Sequence, residues 1–323
     1  MLIKLIVHIS RIFVGTMFVF SGFVKLVDPI GSQYKFEEYF SESVLNFEFL
    51  IPYALPFSIL LILVEIMLGV MLLLGYKSKL TLWSLLGITT LFLFLTWYSA
   101  YYNKVTDCGC FGDAIKLTPW ETFWKNVVLI ALIIILLIRI SNIKEFLPKK
   151  ITFYFTFVSL VCFSLITFYV LNHLPIIDFR AYAIGKNIPE GMKYPTNPEE
   201  LPAIHDFMLE DTQNDLSPDI LAMDKVMLVI VYNASKSDEK GFIEIKKVAE
   251  RAIYNGYSVY GVSASFEDDL ILIQNKYNLP FDFLFCDETT LKTMIRANPG
   301  VITLSKGTVT GKWNWNETRN INF

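Results

Sequence analysis

The sequence predicts an α-helical membrane bundle followed by an α/β domain with a mixed sheet. The first half contains five stretches of about 20 mostly apolar residues, the length that crosses a bilayer as a helix. The second half alternates strand-type and helix-type runs and ends in a hairpin, which is typical of a mixed sheet with helices on its faces. The 323 residues are 54% apolar, which is too many for a soluble protein of this size.

Domain boundaries follow from this division. We expect a membrane domain at residues 1–172, a linker at 173–203 and a second domain at 204–323. The linker is assigned because six prolines punctuate a largely aperiodic segment between Pro175 and Pro218.

Five spans are predicted, and the charges of their connecting loops indicate an orientation. The spans cover residues 5–26, 54–74, 80–100, 121–139 and 151–171. Lys77 and Lys79 lie in the second loop, and Lys144, Lys149 and Lys150 lie in the fourth. Loops rich in Lys and Arg stay in the cytoplasm. The amino terminus is therefore expected in the cytoplasm, and everything after the fifth span is expected outside.

The overall charge excludes one class of partner. The chain carries 28 basic and 31 acidic residues, for a net charge of −3, and neither half has a basic run that could follow a phosphate backbone. The sequence therefore predicts no nucleic-acid partner, whereas the lipid bilayer is a partner that the apolar spans require.

Two cysteines carry the sharpest local signal. Cys108 and Cys110 lie in the loop before the fourth span, and a Cys-Gly-Cys sequence can close a small strained disulfide that favours oxidising a partner. Redox exchange is therefore one interpretation, and a structural disulfide or two unpaired thiols are the alternatives. A metal site has little support because the loop offers no neighbouring His. Asp107 disfavours a thiolate, and Cys162 and Cys286 are interpreted as small core hydrophobes.

Arg11 and Glu65 are predicted to form an intramembrane polar pair. The rise of 1.5 Å per residue places them at similar depth in antiparallel helices, which permits a salt bridge. Such groups are functional candidates because they are costly in hydrocarbon, although a pair can also serve only to fix helix packing. Lys25 is expected to reach the outer headgroups, with Asp28 as its partner.

The second half resembles the thioredoxin fold. The closing section of that fold is matched by Asn298 and Pro299, the run from Val301 to Leu304, Lys306 and Gly307, and the run from Gly311 to Trp313. Upstream, the run His205, Asp206, Phe207, Met208 and Leu209 resembles the opening strand of TlpA-type membrane-associated thioredoxins. It implies that Pro299 is cis and faces the redox site, and we expect Asn298 and Pro299 to dock a partner. Where that family has Cys-x-x-Cys, between Tyr232 and Phe242, this chain has no cysteine. The domain therefore cannot run the family's exchange reaction, and a binding role is expected.

The first half resembles the MauE-like branch of the DoxX superfamily. The residues concerned are Arg11, Gly15, Phe18, Ser21, Gly22, Lys25, Leu26, Glu65, Gly69 and the run from Cys108 to Gly112. The resemblance implies a role in quinone-coupled oxidation or in the maturation of disulfide-bearing proteins. It also implies a bacterial inner membrane, a periplasmic second domain, a protein partner and a quinone, although the residues themselves make no cofactor evident.

Two functional hypotheses follow. In the first, Cys108 and Cys110 exchange electrons with an extracytoplasmic partner that the second domain docks, and the Arg11/Glu65 region communicates with a quinone or another membrane subunit. In the second, the protein is a non-catalytic scaffold or assembly factor. A transporter is less favoured because the spans lack evident repeats or broken helices.

Overall fold

The computed structural model describes residues 2–105, 107–195, 201–205, 207–211 and 214–323. The chain divides into two compact units, Met1–Leu171 and Asn172–Phe323. The first is helical and the second is built around a five-stranded sheet. The predicted fold class is therefore confirmed.

Six α-helices form the described part of the first unit. They are α1 (Leu2–Val27), α2 (Pro29–Phe40), α3 (Ala54–Leu74), α4 (Ser78–Tyr102), α5 (Pro119–Ile138) and α6 (Lys149–Asn172). Within the described residues, five helical segments are long and apolar enough to cross a membrane, and they correspond to the five predicted spans. The short helix α2 was not predicted, because its mixed composition lacks a clear apolar period.

Helices α1 and α3 cross at backbone contact. A Cβ atom added to Gly69 would lie 2.8 Å from the backbone nitrogen of Val19 and 2.9 Å from the carbonyl oxygen of Gly15. A Cβ added to Gly22 would lie 2.9 Å from the backbone of Ile66. Small residues permit this close approach, which favours van der Waals packing between helices in a bilayer.

The start of α5 fixes the end of the cysteine-bearing loop. The Thr118 hydroxyl accepts a hydrogen bond from the backbone N–H of Glu121, whose carboxylate in turn accepts from the backbone N–H of Thr118 at 2.8 Å. Pro119 occupies the first helical position. This capping box satisfies N–H groups that the helix leaves unpaired, so the loop ends at a defined residue.

The second unit has a thioredoxin-like topology. Its strands are β1 (Val226–Val231), β2 (Ser258–Ser263), β3 (Phe283–Phe285), β4 (Gly300–Ser305) and β5 (Thr308–Asn314). Their spatial order is β3-β2-β1-β4-β5, with β1, β2 and β3 parallel and β4 antiparallel to both of its neighbours. The helices are α7 (Ile188–Gly191), α8 (Ser217–Ala222), α9 (Glu239–Tyr254), α10 (Glu267–Tyr277) and α11 (Glu288–Met294).

Helices cover both faces of the sheet. All six residues of β1 are buried, as expected for a central strand with apolar cover on each side. Phe242 and Ile245 of α9 pack on one face, while Met294 of α11 and the upstream residues Tyr182 and Ile188 pack on the other. The alternation of strands and helices predicted from residue 226 onward is confirmed.

The described residues of the segment predicted as a linker, 173–195 and 201–203, belong to the second unit. Gly185 donates its N–H to the carbonyl of Val309 at 2.8 Å, and Val309 donates to Lys186 at 2.9 Å, so the segment covers the edge strand β5. Asp178 accepts a hydrogen bond from Lys312 at 2.6 Å. Nothing in the sequence indicated this pairing with β5, because isolated backbone hydrogen bonds at a sheet edge produce no hydrophobic repeat.

The predicted opening strand is shorter than expected. Asp206 lies outside the described residues. Glu210 exchanges two backbone hydrogen bonds with Phe285, at 2.9 and 2.8 Å, but this is an isolated bridge and not a strand. Phe207 and Leu209 are buried, so the segment contributes side chains to the core.

Replacing Asp178 by Asn should destabilise the second unit by about 3 kcal/mol. Asp178 is the acid that neutralises two buried cations, Arg180 at 2.6 Å and Lys312 at 2.6 Å, and removing one partner leaves the other charges uncompensated. Hydrogen exchange of β5 peptides in the full-length protein would measure the loss. Asp224→Asn, which removes an exposed pair with Lys306, is the control with an expected cost below about 1 kcal/mol. Equal costs for the two variants would contradict the prediction.

Candidate functional site

The loop between α4 and α5 presents the two cysteines in a tight turn. Gly109 between them has a φ of +64°, and a Cβ there would lie 2.9 Å from the side chain of Lys35. Its N–H donates to the carboxylate of Asp107 at 3.0 Å, and Gly112 donates to the carbonyl of Gly109 at 3.1 Å. A glycine is therefore required both by the backbone conformation and by the close approach of α2.

Cys108 is the buried member of the pair. The residue is 9% exposed, and the side chains of Tyr39 and Thr122 lie close to its thiol. Burial, reinforced by the nearby Cys110, raises the pKa of Cys108 to about 11, because a thiolate is poorly solvated there. Cys108 is thus a protonated thiol at neutral pH.

Cys110 is partly exposed and lines a small pocket of polar and apolar side chains inside the helical unit. The Ser21 hydroxyl donates to the Cys110 carbonyl at 2.6 Å, which ties the loop to α1. The other lining residues are Met17, Phe18, Ser21, Glu65, Thr89, Phe92, Phe111, Lys125, Asn126 and Leu129. The Lys125 ammonium lies 4.3 Å from the ring centre of Phe111. The free volume is about 20 Å³, enough for one water molecule.

A buried ion pair adjoins this pocket. The Lys25 ammonium donates to the Glu65 carboxylate at 2.7 Å and to the Ser21 hydroxyl at 3.0 Å. Lys25 is 5% exposed and Glu65 is 2% exposed. Glu65, Lys25, Ser21 and the Cys110 carbonyl therefore form one continuous chain of hydrogen bonds from the middle of α3 to the cysteine loop.

The predicted pairing of Arg11 with Glu65 is wrong. Arg11 donates to the carbonyls of Leu72 at 2.8 Å, Leu73 at 2.6 Å and Lys144 at 3.0 Å. Leu72 is seven residues beyond Glu65, or about 10 Å along the helix. The last carbonyls of a helix lack intrahelical partners, and Arg11 satisfies two of them. Its place is at the opposite end of α3 from the cysteine loop.

Three other sequence interpretations can now be compared with the structure. Lys25 is buried against Glu65 instead of reaching toward the headgroups with Asp28. Cys162 is exposed on α6 and is not a core residue, whereas Cys286 is buried as predicted. Burial raises the pKa of Cys286 to about 12, so this thiol is unreactive at neutral pH.

In the second unit, the Asn298–Pro299 peptide bond is cis, as the resemblance implied. Asn298 donates to the carbonyl of Asn233 at 2.7 Å and accepts from Ser237 at 3.1 Å. Pro299 is buried, and a Cβ on Gly241 would lie 2.8 Å from its ring. These contacts fasten the thiol-free loop 233–238 to the cis-proline. Partner docking by Asn298 and Pro299 stays a prediction.

Several residues of the site were missed as site components by the sequence analysis. Tyr39, Thr122, Lys125 and Asn126 reach the cysteines or the pocket from α2 and α5. One available signal was the i, i+4 spacing of Thr122 and Asn126, which puts two polar residues on one face of an apolar helix.

Comparison with known proteins gives a different match for each half of the chain. Residues 3–139 match the family of the methylamine utilisation protein MauE. This confirms the expected MauE resemblance for the region that contains α1 to α5 and both loop cysteines. Placement in the wider DoxX superfamily stays a prediction. No curated protein matches the chain.

Two solved structures are similar to part of the chain. One is the solution structure of a thiol:disulfide interchange protein from Bacteroides sp.. The match covers 32% of this chain and 74% of the Bacteroides chain. The other is the crystal structure of the thioredoxin domain of a thiol-disulfide oxidoreductase from Bacteroides vulgatus. This match covers 33% of this chain and 81% of the Bacteroides vulgatus chain. Both are 17% identical to it with a TM-score of 0.28.

Cys110 should react with N-ethylmaleimide faster than Cys108 at pH 8. With a pKa near 11, about one Cys108 thiol in 10³ is ionised at that pH, and the fraction should rise about tenfold per pH unit until pH 11. Mass spectrometry of Cys108→Ser and Cys110→Ser proteins, each also lacking Cys162 and Cys286, would measure the two rates. Equal rates at pH 8 would contradict the assignment.

Proposed function

We propose that this multi-pass membrane protein takes part in thiol–disulfide exchange, with Cys108 and Cys110 as the exchanging pair. The observation that carries the proposal is the asymmetry of the two thiols. Cys108 is buried near Tyr39 and Thr122, while Cys110 is partly exposed and lines a small pocket. An accessible thiol beside a protected one is the arrangement that lets a partner attack one specified sulfur.

The reaction can be written in the oxidising direction. A partner thiolate attacks the Cys110 sulfur of the closed disulfide, so that a partner–Cys110 bond forms and the Cys108–Cys110 bond breaks. The released Cys108 takes up a proton. The second partner thiolate then attacks the mixed disulfide and releases Cys110, which is also protonated. The partner loses two electrons and two protons, and the cysteine pair gains them.

The quinone that the sequence resemblance implied stays a prediction. The pocket beside Cys110 has a free volume of about 20 Å³, which is enough for one water molecule. We therefore assign no step to a quinone there, and a protein dithiol or disulfide is the exchange partner proposed.

The proposed location is a bacterial inner membrane, with the amino terminus in the cytoplasm and the second unit in the periplasm. The Lys-rich loops at 75–79 and 139–150 support this orientation by the positive-inside rule. The periplasm is an oxidising compartment, so disulfide chemistry at the cysteine loop fits this location.

Replacing Cys108 by Ser should trap partner proteins. In the reverse direction the Cys110 thiolate attacks a partner disulfide, and Cys108 would resolve the mixed disulfide that forms. With Cys108 removed this bond cannot be resolved from within the loop, so reducible adducts should accumulate on non-reducing gels of intact cells. Cys110→Ser should give few adducts because Cys108 is buried, and Cys162→Ser is the control with both loop thiols intact. Absence of adducts in the Cys108→Ser variant, together with unchanged partner redox states when both cysteines are replaced, would refute the proposal.

A second candidate function is a membrane scaffold or assembly factor. The second unit favours it, because the loop at the expected dithiol position holds Asn233 and Ser237, both hydrogen-bonded to Asn298, and no cysteine. If a stable complex co-purifies unchanged with the protein lacking Cys108 and Cys110, the scaffold is the better description. Loss of that complex in the same variant would favour exchange.

A further inference from the structure

The buried pair of Lys25 and Glu65 is connected to the loop of the reacting cysteine, although the two residues are far from it in sequence. Glu65 lines the same pocket as Cys110, and Lys25 bridges Glu65 to Ser21, whose hydroxyl holds the Cys110 carbonyl. The ion pair is therefore connected to the cysteine loop twice, through hydrogen bonds and through the pocket.

The charged groups around this pocket come from four parts of the chain. Lys25 belongs to α1, Glu65 to α3, Lys125 to α5 and Cys110 to the loop, while α4 contributes the uncharged Thr89 and Phe92. Glu65 is thus the carboxylate among the described lining residues. It is the group in this pocket whose chemistry suits accepting a proton from a neighbouring thiol.

We propose that Glu65 exchanges a proton with the Cys110 sulfur during thiol–disulfide exchange, with Lys25 and Ser21 as positioning residues. The inference rests on the proposed function. When the dithiol form attacks a partner disulfide, the Cys110 S–H gives its proton to the Glu65 carboxylate and the Cys110 sulfur forms the mixed disulfide. The departing partner thiolate is protonated from solvent. In the reverse direction Glu65 returns the proton as Cys110 is released.

The size of the pocket supports proton transfer over ligand binding. Its free volume of about 20 Å³ accommodates one water, which is enough to bridge a carboxylate and a thiol at the edge of the pocket. Lys25 keeps the carboxylate oriented through a 2.7 Å hydrogen bond.

The test uses the reduced full-length protein in detergent and 4,4′-dithiodipyridine as the disulfide. Attack by Cys110 and closure by Cys108 release two equivalents of thiopyridone, whose absorbance gives the rate between pH 5 and pH 9. Cys162 and Cys286 are replaced throughout. Glu65→Gln should lower the rate about 10²-fold near pH 6, and the curves should converge toward pH 9, where hydroxide ionises the thiol.

Three further variants make the result specific. The Lys25→Gln/Glu65→Gln protein keeps the pocket neutral and should show the same pH-dependent loss, which decides the matter if Glu65→Gln alone does not fold. Ser21→Ala loosens the loop and should change the rate by a similar factor at every pH. Glu42→Gln, which removes an exposed carboxylate, should follow the unchanged protein.

The outcomes separate this inference from the function on which it rests. A pH-dependent loss in Glu65→Gln or in the double variant supports proton exchange by Glu65. Unchanged curves, or a loss that is equal at every pH, overturn it and leave exchange at the cysteines intact. Failure of the unchanged protein to release thiopyridone overturns both.

Discussion

The ion pair between Lys25 and Glu65 is the interaction on which the arrangement of the helical unit depends. Both groups are almost completely buried, so removing either one would leave an uncompensated charge in an apolar environment. The pair can form only because α1 and α3 touch along Gly15, Gly22 and Gly69. The close contact between α1 and α3 therefore permits the ion pair, and the ion pair in turn is hydrogen-bonded through Ser21 to the cysteine loop.

The two ends of the α1–α3 contact have different roles. At one end, Arg11 satisfies carbonyls at the end of α3 and one in the loop before α6, which is a structural task. At the other end, Lys25, Ser21 and Glu65 reach the backbone of Cys110. The polar groups along this contact therefore have two kinds of partner, helix-end carbonyls for Arg11 and the cysteine loop for Ser21 and the Lys25–Glu65 pair.

The second unit combines a thioredoxin-like order of strands with a loop, at 233–238, that holds no cysteine. The order of its strands and the cis bond before Pro299 are those of a thioredoxin-like fold, yet loop 233–238 is closed by Asn and Ser side chains. The only adjacent pair of cysteines lies in the helical unit, within the region that matches the MauE family. The chain thus combines a cysteine pair on one unit with a thiol-free thioredoxin-like unit.

The sequence by itself determined the five spans, the alternation of strands and helices and the position of the cysteine pair. Each depends on hydrophobic run length, periodicity or residue spacing, which are properties of neighbouring residues. Tertiary structure alone decided that Glu65 pairs with Lys25 and not with Arg11, and that residues near Asp178 cover β5. These contacts join residues 40 and 134 positions apart. Estimates of depth along a helix could not select between two cations, because the choice depends on which carbonyls and side chains each one meets.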